Sequence, residues 1–174
     1  MNDSLIRPLF FIGIGLIVGL IYHFKPSNRF NQRKMFEYSV SAIAEFARTH
    51  KKETFYAFSI DATMLCLNSE DAFKKTLKRY RADDPKLYGL ASEIDALRFN
   101  TGDWEYQGFT DLQESGGFDM KAYDFHYNRS AEKRLQTPYA KAMNRLLTDL
   151  KNANAFAPLN RSEGFSTTVS DHGY

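Results

Sequence analysis

Apolar residues along this chain fall into three patterns: one unbroken run, several stripes at helical spacing, and short blocks that read as strands. The unbroken run is residues 8–24, PLFFIGIGLIVGLIYHF, with no charged residue between Arg7 and Lys25. Residues 31–51 then place Phe36, Val40, Ile43 and Ala47 on one helical face, with Ala44 beside them. Residues 54–59 (TFYAFS) and 63–67 (TMLCL) are apolar on both sides, as interior strands are, and the short gap around Asp61-Ala62 predicts a hairpin. Asn68-Ser69 offers an N-cap before Glu70 and Asp71, and Phe73, Leu77 and Tyr80 form the stripe of the helix that follows.

After the Asp84-Pro85 turn, Leu87, Leu90, Ala91, Ile94 and Leu97 predict another amphipathic helix. Residues 100–103 (NTGD) form a turn. Residues 104–109 (WEYQGF) read as a strand with Trp104 and Tyr106 on one face and a bulge at Gly108. Residues 122–127 (AYDFHY) read as strand or irregular structure. Thr137-Pro138 starts a helix whose stripe is Ala140, Met143, Leu147 and Leu150. A short last strand falls at 165–169. Helices and strands mix without βαβ alternation. The expected fold is therefore α+β, a small, largely antiparallel sheet packed with several amphipathic helices and preceded by one N-terminal hydrophobic helix.

That first helix divides the chain into a membrane anchor over 1–25 and a single globular domain over 26–174. Seventeen helical residues rise about 25 Å, the short end of a membrane span. The run is apolar all round, unlike an amphipathic core helix, and no small-x-small cleavage pattern follows it. Gly15 and Gly19 form a G-x-x-x-G pair, which would allow a homodimer through the anchor, although glycine is common in spanning helices. Charge sharpens the division. Residues 1–34 carry five basic groups against one acid, and the remainder 18 basic against 20 acidic residues. The basic excess thus flanks the anchor, which argues against a nucleic-acid surface on the domain. Lys25, Arg29, Arg33 and Lys34 put the domain on the cytoplasmic side of a single-pass bacterial inner-membrane protein.

The chemistry on offer is sparse. The one cysteine, Cys66, lies in an apolar run and has no disulfide partner, and no Cys/His spacing suggests a metal site. No phosphate-binding, dinucleotide or nucleophile-elbow fingerprint occurs, so no cofactor is implied. His126, two residues after Asp124, is the best general-base candidate, although a histidine in an aromatic stretch more often serves the structure. The densest feature is residues 100–109, NTGDWEYQGF. Asn100, Asp103, Trp104, Glu105 and Tyr106 form a candidate binding surface, because Trp and Tyr are enriched at binding hot spots. The same aromatics would equally serve to fill a core.

The segments FYAFSIDATMLCLNSEDAF, LRFNTGDWEYQGF and YAKAMNRLL together resemble the uncharacterised bacterial family known as domain of unknown function 4303. The resemblance covers roughly residues 32–174, and the N-terminal anchor departs from it. It implies a small α+β domain of the kind that accompanies bacterial toxins as an immunity protein. The expected function is then a membrane-anchored protein that neutralises a cognate toxin by direct binding. Two alternatives stand beside it: a membrane-anchored hydrolase-like enzyme using His126 with Asp124 or Glu105, and a structural subunit of an envelope complex packing through Gly15 and Gly19.

Overall fold

The computed structural model describes residues 30–170. The expected anchor at 8–24, its Gly15/Gly19 pair and the anchor–domain boundary lie outside the described residues.

Helix α1 (Gln32–Thr49) starts where the Asn31 side chain accepts the Lys34 N–H. Its buried line is Met35, Ser39, Ile43, Phe46 and Ala47. That line is rotated slightly from the expected stripe, so Phe36 and Val40 flank the core and Ala44 faces out. Ser39 is tolerated inside because its hydroxyl donates to the Met35 carbonyl.

Strands β1 (Phe55–Asp61) and β2 (Met64–Ser69) form the expected hairpin and occupy the centre of a four-stranded sheet of order β3-β2-β1-β4. Ala62 makes the turn with a left-handed φ of 53°, and its carbonyl accepts the Tyr139 hydroxyl. Helix α2 (Glu70–Asp83) follows at once, capped by Ser69. A 3₁₀ turn at Leu87–Gly89 and helix α3 (Ala91–Phe99) replace the single helix expected from Leu87 to Leu97. The Asp84 side chain accepts the N–H groups of Lys86 and Leu87, which holds this segment in a turn.

Strand β3 (Tyr106–Asp111) pairs antiparallel with β2. The register slips between Leu65 and Leu67, opposite Gly108, whose φ is +66°. The expected bulge is there. Residues 122–127, read as strand or irregular, are instead helical. Asp119 caps helix α4 (Met120–Tyr127) by accepting the Ala122 N–H. Such a cap outweighs the weak strand preference of Tyr and Phe. A short helix α5 (Ala131–Arg134) leads to helix α6 (Pro138–Asn152), capped by Thr137.

Strand β4 (Arg161–Ser170) runs parallel to β1, so the sheet is mixed, with two antiparallel pairings and one parallel. A parallel neighbour demands a long crossover, and residues 62–160 supply it. The larger core joins α1, α6 and one sheet face through Met35, Ile43, Phe58, Ile60, Leu146 and Leu150. The other face holds a smaller cluster: Tyr56, Ala57, Cys66, Phe73, Leu97 and Trp104. The sheet therefore sits between two helical layers. Trp104 and Tyr106, expected on one face, belong to opposite ones. Trp104 precedes the strand, and Tyr106 packs with Phe46 and Phe55 of the larger core.

Candidate functional site

The segment expected to bind is held by a closed hydrogen-bond network. Asn100 caps a 3₁₀ turn (Thr101–Asp103), accepting the Gly102 N–H at 3.3 Å and donating to the Asp103 carboxylate at 2.6 Å. The Tyr80 hydroxyl of α2 also donates to Asp103. Thr101 is buried and donates its hydroxyl to Asp61 at the end of β1.

Trp104 is 4% exposed. Its indole N–H donates to the Arg98 carbonyl at 3.0 Å, and the Tyr56 hydroxyl donates to that same carbonyl at 2.6 Å. The Asn68 amide donates to the Tyr56 oxygen at 2.9 Å, and its own carbonyl oxygen accepts the Ser69 and Glu105 N–H groups. Arg98 lies over the Tyr56 ring at 3.9 Å and the Phe73 ring at 4.9 Å, and it pairs with Glu70 at 2.5 Å. Burial pushes the Tyr56 phenol up to about 12. These residues clasp α2, α3 and the β1–β2 hairpin together.

Of the five predicted surface residues, Trp104 is therefore a core anchor. Asn100 and Asp103 are half-buried and bonded to each other, and Glu105 is exposed. Tyr106 turns toward the larger core. There its hydroxyl donates to Glu53 at 2.5 Å, and burial first, then that bond, holds its pKa above the usual phenol range.

A groove lined by Glu53, Asp71, Lys74, Lys75, Glu105 and Tyr106 opens beside this point. Its chemistry is already satisfied. Glu53 accepts Tyr106 on one oxygen and the Ser69 hydroxyl, at 2.6 Å, on the other. Ser69 accepts the Ala72 N–H as the cap of α2, so its hydroxyl is engaged both as donor and as acceptor. Such a serine is a helix cap and not an activated nucleophile.

His126 is 2% exposed and shares a 2.7 Å hydrogen bond between Nδ1 and the Thr137 hydroxyl. Its ring packs on Tyr139, with centroids 4.4 Å apart. Asp124, expected to orient it, is exposed, because residues two apart on a helix point to different sides. The Asp124–His126 pair does not form a catalytic dyad.

The sequence reading missed the surface that lies over the Trp104 clasp. Leu87, Leu90 and Phe99, 40%, 54% and 51% exposed, crown the 3₁₀ turn and α3. Across residues 83–105, six carboxylates stand against Lys86 and Arg98, and Arg98 is occupied by Glu70. This cap is tied down by the Tyr80–Asp103 and Arg81–Tyr88 hydrogen bonds and by the Tyr80–Tyr88 ring contact at 4.9 Å. The signal was present as the Leu87/Leu90 repeat, but periodicity alone reads such a stripe as core.

Among the described residues no group of three His, Cys, Asp or Glu side chains is placed to hold a metal ion. Nor is any described helix long and apolar enough to cross a membrane. A family model described as a domain of unknown function, DUF4303, matches residues 35–174. No curated protein matches the chain, and no solved structure does.

Proposed function

This chain belongs to the DUF4303 family, and we propose that it is a membrane-tethered immunity protein that neutralises a cognate toxin by covering it. The observation that carries the reading is the set of exposed apolar side chains Leu87, Leu90 and Phe99 on the 3₁₀ turn and α3, in a segment whose exposed charges include Asp83, Asp84, Asp95 and Glu105. Exposed large apolar side chains rimmed mainly by charge of one sign, here acidic with Arg81 and Lys86 among the carboxylates, are the composition of a specific protein interface. The Trp104 clasp beneath keeps the cap ordered, so binding would cost little ordering entropy. The acidic rim selects a partner with a basic surface and would speed its approach at low salt. The apolar run at 8–24 would hold this cap at the inner membrane, on the cytoplasmic side, where an arriving toxin is intercepted.

The test is growth rescue followed by direct binding. The protein encoded beside this one is expressed alone and with the full chain, and the purified pair is then titrated in mild detergent. The expectation is growth arrest that the full chain relieves, and a one-to-one complex. Asp95→Lys with Glu105→Lys should weaken that complex about tenfold, or about 1.4 kcal/mol, without lowering the melting temperature. A neighbour whose toxicity the chain does not alter, or a complex indifferent to both reversals, would sink the reading.

A further inference from the structure

On the other helical layer the chain carries a second surface of different chemistry. Residues 124–149, from α4 into α6, hold five basic residues (Arg129, Lys133, Arg134, Lys141 and Arg145) against Asp124, Glu132 and Asp149, the last of which pairs with Arg145 at 3.8 Å. Leu135 stands at the tip between α5 and α6 and is 74% exposed. The Arg129 guanidinium lies 4.0 Å from the Phe125 ring centre, and Arg134 lies over Tyr127. Two shallow grooves run side by side here. One is lined by Phe125, Arg129 and Lys133 and the other by Phe30, Lys141 and Arg145, and both include Gln136 and Pro138. They join the basic tip to Phe30, the first described residue, which packs edge-on against Phe118 with centroids 5.3 Å apart.

The placement of Phe30 limits how far this surface can lie from the apolar run. The apolar run ends at Phe24, and residues 25–29 intervene. A chain of that length reaches no more than about 20 Å, whatever its conformation. If the run is in a bilayer, the face bearing Phe30 is therefore held within about 20 Å of that bilayer. A layer of anionic headgroups attracts lysine and arginine within about a Debye length, and exposed Leu and aromatic side chains settle at the boundary between headgroup and acyl chain. Resting on the membrane tether of the proposed function, we infer that Leu135, Phe125, Arg129, Lys133 and Lys141 form a docking surface for anionic phospholipid. This surface holds the α3 cap away from the membrane and open to a partner.

The test uses the full chain in vesicles of equal parts phosphatidylcholine and phosphatidylglycerol that contain a spin-labelled quencher lipid. Leu135→Cys and Leu90→Cys each carry an environment-sensitive fluorophore. Native Cys66 is fully buried, and burial pushes its thiol up to about 11, so the introduced thiol is the one labelled. The probe at position 135 should be quenched several-fold more than the probe at 90. The difference should vanish in phosphatidylcholine alone, at high salt, or with Arg129→Glu and Lys133→Glu. Equal quenching at the two positions, in a chain that resists alkaline extraction from the vesicles, would overturn the docking surface and leave the tether standing. A chain that alkali washes from the vesicles would overturn the tether and the docking surface together.

Discussion

Trp104→Ala separates a core anchor from a binding hot spot. Trp104 is 4% exposed, packs edge-on against Tyr56 with centroids 6.3 Å apart, and donates its indole N–H to the Arg98 carbonyl. Truncating a buried Trp to Ala costs about 3–5 kcal/mol through lost transfer energy and the cavity left behind. The Arg98 carbonyl keeps the Tyr56 hydroxyl as donor, which limits any extra penalty from an unpaired acceptor. The expected loss is thus about 4 kcal/mol, a fall of roughly 8–16 °C in melting temperature for a chain of this size. Trp104→Phe retains most of the packing and should lose about 1–2 kcal/mol. Urea unfolding followed by circular dichroism measures both, with an unchanged m-value confirming that native stability is what moved. Trp104 is the only tryptophan, so its fluorescence in the parent also reports its burial directly. A Trp104→Ala protein within about 0.5 kcal/mol of the parent, the range of an ordinary surface change, would refute the clasp.

Three further outcomes follow from particular residues. Burial raises Cys66 from 9.0 to about 11, so the folded chain holds this proton more tightly than the unfolded one. The contribution is full below pH 9 and lost as pH rises toward 11, a fall of about 2–3 kcal/mol. Cys66→Ala should flatten urea midpoints measured across that window, and an equally steep fall would show that the thiol is not responsible. Gly117→Ala would place a Cβ 2.7 Å from the Asn31 carbonyl oxygen and 3.0 Å from Lys34 Cβ, levering α1 off its seat. It should cost about 1–3 kcal/mol by thermal unfolding, and a neutral result would mean that the α1 start yields freely. Ser69→Ala removes the cap of α2 and the hydroxyl bonded to Glu53. A destabilisation of about 2 kcal/mol is expected from cap and hydrogen bond together, read as a shift in urea midpoint.

Local chemistry accounts for what was legible before folding. The α+β class, the β1–β2 hairpin, the Ser69 and Thr137 caps and the Gly108 bulge all depend on neighbours within a few residues. Residue type and spacing report such neighbours directly. The stripe of α6 was legible for the same reason, because Met143, Leu147 and Leu150 face a single core.

What tertiary structure alone decided depends on partners far along the chain. Nothing near Phe165 announces that β4 will lie parallel to β1, since that pairing closes a connection of about a hundred residues. The 87–97 stripe and the Trp104/Tyr106 pair misled for a related reason. An apolar side chain looks the same in sequence whether it is buried or left out, and Leu90 and Leu97 differ only in what lies above them. Trp104 is buried because its indole and the Tyr56 hydroxyl, itself held by Asn68, meet at the Arg98 carbonyl, and these partners come from three separate elements. The cap and the basic tip emerge the same way, as the surface remaining after the two cores on either side of the sheet have claimed their share of the apolar residues.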